Sequence, residues 1–334
     1  MDTSTTRLLT LIDRFGGRRI AVVGDLIADE FIYGRVARVS REAPVLILNY
    51  DTTEVLPGGA GNAARNVAAL GGQARAVGLA GTDEPGRRML DVLGAGVDVR
   101  GVARVRDWRT PTKTRILAGG IHSAKQQVVR IDRATGQRPG RAVRDAVTPR
   151  LARALRGCHA VLLSDYGTGL VTPAMAAAVR RAVGASVPLL VDSRYQLLKY
   201  RGITACTPNE SEVEQLFDVT IGEDRRALEK AGRLLLDRLR SRAVLVTRGS
   251  RGMALFEPGK PTVHIEIYGS DEIADVTGAG DTVIAAMTLA IAAGASFADA
   301  ARLANYAGGI VVMKRGTATA SAAELRAAVK ADSR

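Results

Sequence analysis

Short apolar runs that close on polar or glycine residues recur along the chain. The runs 20–23, 160–163, 189–191 and 243–246 stop at Gly24-Asp25, Ser164-Asp165, Asp192 and Thr247-Arg248-Gly249. Runs of this length with no polar alternation predict strands buried on both faces. Other stretches repeat their apolar residues at helical spacing, which predicts helices over 61–70, 173–183, 211–217 and 228–239. Buried strands alternating with helices form an α/β, doubly wound fold: a mostly parallel sheet with helices on both faces. Ligands of such sheets sit outside the carboxyl ends of the strands. Asp25, Asp165 and Asp192 each end a run. Any one of them serves equally well as a helix N-cap or turn former. Three at the same edge suggest a polar site.

Two segments break this rhythm. Segments 31–56 and 97–133 contain period-two alternation, as in Thr112-Lys113-Thr114-Arg115-Ile116-Leu117 and Gln127-Val128-Val129-Arg130-Ile131-Asp132. Alternation of this kind predicts strands with one wet face. Both segments read as pieces of a small β-sheet lid projecting from a single domain that spans 1–334. The only tryptophan, Trp108, falls within the second. An apolar lid face is a natural homodimer contact, and covering the active site is equally compatible. The apolar stretch 283–295 is too short for a bilayer and reads as a buried helix. The first 19 residues read as a short amphipathic helix without a signal-peptide pattern. A cytoplasmic protein with no membrane partner is expected.

Composition alters this picture through charge. The 334 residues are 46% hydrophobic and 24% charged, an ordinary globular balance. Lys+Arg number 47 against 34 Asp+Glu, a net charge of +13. That surplus brings in an alternative of a different class, a basic nucleic-acid-binding protein. Of the basic residues 40 are Arg and 7 are Lys, and they are scattered with no run of five. Such scatter speaks against a nucleic-acid partner and leaves solvated faces or a site for small phosphorylated molecules. Cys158 and Cys206 have no CxxC spacing, and three histidines without clustering give no zinc site.

The strongest chemical signal is Asp275-Val276-Thr277-Gly278-Ala279-Gly280-Asp281-Thr282, which opens the apolar helix. Gly278, Ala279 and Gly280 leave backbone N–H groups open to an anion, and the helix dipole adds partial positive charge there. Asp281 beside that hole could take a proton from a hydroxyl that attacks a phosphoryl group. A glycine-rich turn with Asp281 as a first-turn acid is the plainer alternative. Pro57-Gly58-Gly59-Ala60-Gly61-Asn62 either begins a helix or lets a ligand approach, with Asn62 offering donor and acceptor to hydroxyls. In Thr207-Pro208-Asn209-Glu210-Ser211-Glu212, Asn209 and Glu212 stand at capping-box distance. They could also organise a hydrated Mg²⁺. No Gly-x-x-x-x-Gly-Lys-Ser/Thr occurs, and Val283 occupies a position that a dinucleotide fingerprint reserves for Gly or Ala.

In this order, Gly24-Asp25, Gly58-Gly59-x-x-Asn62, Asn209-x-x-Glu212 and Gly278-Ala279-Gly280-Asp281 resemble the ribokinase-like carbohydrate kinases. The likeness runs from about 18 to about 328. Within that family it is nearest to the kinases of D-glycero-β-D-manno-heptose 7-phosphate, through Val39 to Pro44, Arg130-Ile131-Asp132, Ser164-Asp165-Tyr166, Tyr200-Arg201-Gly202 and the lid pair Lys113 and Arg115. The resemblance implies that Asp281 is the base and that amides at 278–280 stabilise charge. It implies ATP and Mg²⁺ at Asn209 and Glu212, a nucleotide groove along Thr247, Gly249 and Gly252, and Asn305 near the adenine. Asp25, Gly58, Gly59 and Asn62 would hold sugar hydroxyls, with Asp165 at the same edge. It also admits K⁺ beside Asp275 and Thr277, although the family's cation loop favours a serine near position 320, where this chain has Ala320.

The chain departs from the heptose kinases at three places. Asp192-Ser193-Arg194 replaces their Asp-Pro-Lys, Arg41 replaces a proline, and ending at Arg334 leaves no room for an adenylyltransferase domain. Lys113, Arg115, Arg130 and Arg194 could grip a substrate phosphate, or form a solvated strand face. The expected activity is phosphoryl transfer from ATP to a sugar or sugar phosphate. Heptose 7-phosphate is the first candidate, and fructose, ribose or adenosine are the alternatives.

Overall fold

The computed structural model describes residues 3–119, 125–134, 136, 138–269 and 275–332. Residues 120–124 of the expected lid therefore lie outside the described residues. In chain order the first half contains α1 (Thr3–Asp13), β1 (Arg19–Gly24), β2 (Leu26–Val39), β3 (Leu46–Gly59), α2 (Ala60–Ala69), β4 (Gln73–Gly81), α3 (Glu84–Gly94), β5 (Asp98–Val105), β6 (Thr112–Gly119), β7 (Gln126–Arg133) and α4 (Arg141–Leu155). Then follow β8 (Ala160–Asp165), α5 (Pro173–Val183), β9 (Leu189–Ser193), β10 (Ala205–Cys206), α6 (Glu210–Phe217), α7 (Arg225–Leu239), β11 (Ala243–Thr247), β12 (Met253–Phe256), β13 (Val263–Ile265), α8 (Ala279–Ala292), α9 (Phe297–Val312) and α10 (Ala322–Ala331).

All four apolar runs are strands of one nine-stranded sheet, ordered β13-β12-β11-β10-β9-β8-β1-β4-β5. Pairing is parallel from β5 across to β11 and antiparallel for β11, β12 and β13. Every residue of β8 is buried, the both-face burial that its unbroken apolar run demands. One core cluster packs α1, α2, α8, α9 and α10 against one face, and a second packs α4, α5 and α7 against the other. Helix α8 is buried from Asp281 to Ala290, as its apolar sequence requires. No helix among the described residues is long and apolar enough to cross a membrane.

A separate four-stranded sheet, ordered β3-β2-β6-β7, rises from the main one. Of the expected second lid segment, Thr112–Gly119 and Gln126–Arg133 join it, while the first lid hairpin runs longer than 31–56, over Leu26–Gly59. Strand β5 instead pairs in parallel with β4 at the edge of the main sheet. Val99 and Val102 pack against the first core cluster and Ala103 and Val105 against the second, so both faces of β5 are covered and it is not a lid strand. Trp108 likewise leaves the lid: it is 5% exposed and packed into the second core cluster. Across the lid, Asp29 pairs with Lys113 and Phe31 with Arg115 between β2 and β6. Lys113 pairs with Asp132 and Arg115 with Arg130 between β6 and β7. Side chains of paired residues share a face, so one lid face gathers Asp29, Lys113, Arg115, Arg130 and Asp132.

Candidate active site

The carboxyl ends of β8, β9, β10 and β11, the N-terminus of α8 and this lid face enclose a cavity of about 450 Å³. Among its walls are Asp29, Lys113, Arg194, Asn209, Glu212 and Asp281. The site thus lies where a parallel sheet leaves room for a ligand.

Asp281 stands in the first turn of α8 and is 3% exposed. Its Oδ2 accepts from Asn62 Nδ2 at 3.0 Å and its Oδ1 from the Tyr166 hydroxyl at 2.9 Å. Burial pushes its carboxyl up to about 7, against the pull of those two donors. A carboxylate titrating near neutrality is suited to general base work. Gly278, the N-cap, holds φ at 78°, and a Cβ there would collide with the Asn62 amide. Of the three expected amides, that of Ala279 donates to Val276 O at 3.2 Å. Those of Gly280 and Asp281 have no backbone partner among the described residues and remain for an anion.

Several expected ligand-binding residues are also bonded within the protein, and of these Gly59, Arg115, Arg130 and Asp165 line the cavity. Asn62 is fully buried: it donates to Gly278 O at 3.2 Å as well as to Asp281, so its amide orients the Asp281 carboxylate. The Asp25 carboxylate accepts the Tyr166 and Thr168 amides at 2.8 and 3.1 Å and the Thr168 hydroxyl. It clamps the loop after β8, and burial raises its carboxyl to about 6. Asp165 accepts from Gly167 N, Ser193 Oγ and Tyr200 OH, at 3.0, 2.8 and 2.7 Å. Ser193, where a proline was expected, thereby fastens the turn that carries Arg194. Gly58 makes room for Asp29, whose carboxylate a Cβ would strike, and Gly59 ends β3 on the cavity wall as the N-cap of α2. Arg115 is 9% exposed and bonded at 2.6 Å to buried Asp29, so it is an internal ion pair. Arg130 pairs with Asp132 at 2.9 Å on the cavity rim.

Lys113 and Arg194 both line the cavity, and no carboxylate lies within ion-pair distance of either among the described residues. Lys113 Nζ sits 5.3 Å from the Tyr166 ring centroid, and burial lowers its ammonium. Beside the main cavity a second, of about 420 Å³, is lined by Lys113, Arg130, Arg138 and Arg194, with Asp132 its single acid.

At the other end Asn209 and Glu212 form the anticipated capping box, Oδ1 accepting Glu212 N at 2.8 Å and Oε2 accepting Asn209 N at 2.9 Å. Both also line the cavity with Thr207 and Thr247, so capping leaves them on its wall. Burial raises the carboxyl of Glu212, and burial together with repulsion from Asp281, Glu212 and Asp165 raises that of Asp192 well above the usual range. Gly249 and Gly252 shape the turn after β11, where Arg248 N donates to Gly252 O, and do not line the cavity. Asn305 lies apart from it, donating to Glu266 O at 2.8 Å beside Tyr306 in another groove. Asp275 uses both oxygens on backbone, accepting Thr277 N at 2.8 Å and Gly316 N at 3.0 Å.

Asp29, Tyr166 and Arg138 had not been singled out as site residues, and Asp192 only as a strand end. Tyr166 had a readable signal, since it follows a buried strand that ends at Asp165 on the ligand-binding edge. Asp29 had none, because its place beside Lys113 depends on strand pairing 84 positions away.

A profile described as pfkB family carbohydrate kinase matches residues 18–324. The chain is 42% identical over 307 residues to a Geobacter metallireducens protein named bifunctional protein HldE, covering 91% of this chain and 61% of that one. A Caulobacter vibrioides protein of the same name is 40% identical over 318 residues, 94% of this chain and 64% of the relative. The chain thus spans under two thirds of the length of these relatives. Among solved structures, Arabidopsis thaliana ribokinase complexed with ribose and ATP superposes with a TM-score of 0.73 at 24% identity, over 94% of this chain and 99% of that one. Escherichia coli phosphofructokinase-2 in complex with potassium gives 0.73 at 20% identity, over 95% and 100%. These two likenesses establish a ribokinase-like fold.

Proposed function

The chain belongs to the pfkB family of carbohydrate kinases, and on that premise we propose that it moves the γ-phosphoryl group of ATP to a hydroxyl of a sugar phosphate. D-glycero-β-D-manno-heptose 7-phosphate is the substrate proposed, and the 1,7-bisphosphate its product. The observation that carries the sugar phosphate is the cluster of Lys113, Arg130, Arg138 and Arg194 beside the base, with Asp132 as its single acid. A neutral sugar needs no such cluster, whereas guanidinium groups match phosphate in fork geometry.

In this reading Asp281 accepts the proton of the sugar hydroxyl as its oxygen bonds to the γ-phosphorus, and the bond from phosphorus to the β-bridging oxygen breaks. The Gly280 and Asp281 amides, at the positive end of α8, stabilise charge on the transferring group. Thr207, Asn209 and Thr247 would border the triphosphate. Mg²⁺ would neutralise phosphate charge when bound. The donor set fits a hydrated ion: Glu212 has one oxygen outside the capping box, and no cluster of three or more acidic, His or Cys ligands exists among the described residues. Glu212 and Asn209 would hold the ion through water. A monovalent cation beside Asp275 and Thr277 would use the lone pairs left on the Asp275 oxygens, each of which accepts one amide.

ADP release measured with a panel of sugars and sugar phosphates tests the reading. Turnover of heptose 7-phosphate is expected; an unphosphorylated sugar turned over while the phosphate is inert would overturn it. Arg194→Ala is expected to raise KM for the sugar phosphate at least tenfold, on the order of one charge-assisted contact, with KM for ATP changed far less.

The lid also favours a homodimer. Val36 and Val39 on β2 and Val129 and Ile131 on β7 are 41, 58, 48 and 46% exposed, and every residue of β7 is open. Sedimentation is expected to show a dimer that Val129→Glu with Ile131→Glu converts to monomer. A monomeric parent protein would refute the contact.

A further inference from the structure

Both oxygens of the base are already occupied by donors, and the two donors differ in origin. Asn62 comes from α2 and is itself locked, since its second N–H bond goes to Gly278 O and its own oxygen accepts Asn66 Nδ2 at 3.2 Å. Tyr166 comes from the loop after β8, and its hydroxyl bonds to Asp281 Oδ1 at 2.9 Å.

We propose that Tyr166 is a positioning residue for the transfer step: its hydroxyl pins Oδ1 of Asp281 and keeps that carboxylate ionised and aimed at the acceptor hydroxyl. The identity of the acceptor rests on the kinase reading above; the contact itself does not.

Tyr166 is built to stay in place rather than to swing. Its amide is held by Asp25 Oδ2 at 2.8 Å, and Thr168 two residues on is held by the same carboxylate through both its amide and its hydroxyl. The ring lies beneath Lys113 Nζ and beside Gly59, where a Cβ would stand 3.4 Å from its Cδ2. Thus Asp25, which the sequence placed on the sugar, acts two steps away by anchoring the residue that anchors the base. A carboxylate oxygen has two acceptor sites. Oδ1 can therefore keep the phenol and still receive a substrate hydroxyl.

Charge explains why a second donor is needed. Asp281 faces Asp29 from β2, which disfavours its ionised form, and Asp192 from β9, whose own carboxyl Asp281 pushes up. Lys113 from β6 is the cation that opposes them, and it has no hydrogen bond to Asp281. The direct support of the carboxylate is the pair of donors from Asn62 and Tyr166. A donor fixed on a buried carboxylate favours the charged form, because in low dielectric the bond to the anion is the stronger one. Burial also pushes the Tyr166 phenol well above its ordinary range, so it remains a donor through the working pH.

The test compares the parent protein, Tyr166→Phe, and protein carrying 3-fluorotyrosine at position 166, a stronger donor. With ATP and the sugar phosphate, the acid limb of kcat/KM is expected to move up by about one pH unit in the Phe protein. Activity at pH 6 then falls about tenfold and recovers by pH 9, while KM for ATP holds. Fluorotyrosine is expected to move the limb downward. Limbs that stay put in both proteins overturn the proposal. The carboxyl carbon of Asp281, titrated by NMR without any substrate, gives a second readout with the same expected signs. If no sugar is turned over yet this titration moves, the substrate reading fails and the positioning role stands. If sugar is turned over and neither readout moves, the positioning role fails. Should the Phe protein not fold, the fluorotyrosine protein carries the decision alone.

Discussion

Asp281→Asn is expected to lower kcat by roughly 10²–10⁴-fold, the usual loss when a general base is removed, and at the same time to stabilise the fold. The two effects share one cause. The carboxyl titrates at about 7 in the folded protein against 3.8 ordinarily, so the folded state holds its proton more tightly than the unfolded chain. Ionising it inside the fold is a cost that is absent below about pH 4 and complete above about pH 7. The full shift corresponds to about 4 kcal/mol, at ~1.36 kcal/mol per pH unit. Asparagine removes the charge; its one oxygen can accept from Asn62 while its Nδ2 donates to the Tyr166 hydroxyl oxygen. Thermal unfolding should therefore show a gain in Tm that grows from pH 5 to pH 8. Retention of more than a tenth of the activity, or a Tm gain independent of pH, contradicts the assignment of Asp281 as a buried, ionisable base.

Arg115→Leu is expected to have the largest effect on stability alone. Asp29 is 4% exposed and its partner guanidinium 9% exposed, with 2.6 Å between them. Taking away one member of a buried pair strands the other, at a cost of about 3–5 kcal/mol. Burial already raises the Asp29 carboxyl even with Arg115 beside it. The loss should therefore be larger at pH 8 than at pH 5, where protonation relieves the stranded group. Combining Arg115→Leu with Asp29→Asn should restore most of the stability, because the uncompensated charge is gone. Urea unfolding of the two single variants and the double one measures the coupling. A double variant as unstable as Arg115→Leu would show that packing, not charge, makes the site sensitive.

The parts of the fold legible in the sequence were those written in local pattern. Runs 160–163 and 243–246 announce strands because burial on both faces demands apolar residues at every position, and 278–281 announces an anion site because a helix start there carries two glycines. What stayed hidden depends on partners far along the chain. Asn62 offered a donor and an acceptor, but nothing local says that the donor meets Asp281, 219 positions away. Arg115 looked like a phosphate ligand because its acid lies on another strand, at a register set by pairing. Strand β5 was placed in the lid because nothing local in its sequence says which sheet it pairs with. Asn209 and Glu212 show the converse: the capping box and the cavity wall are the same two residues, so neither reading displaced the other.

The strand order carries a consequence for synthesis. Strand β1 sits between β4, which follows within some 54 residues, and β8, which starts some 140 residues later. A ribosome adding roughly 5–20 residues per second leaves the β8 side of β1 without its neighbour for on the order of ten seconds. During that time a strand of Ile20, Ala21, Val22 and Val23 presents an open hydrogen-bonding edge, the feature that invites pairing between chains. The nascent first half of this protein thus carries an open edge that the finished sheet, with β1 enclosed, does not.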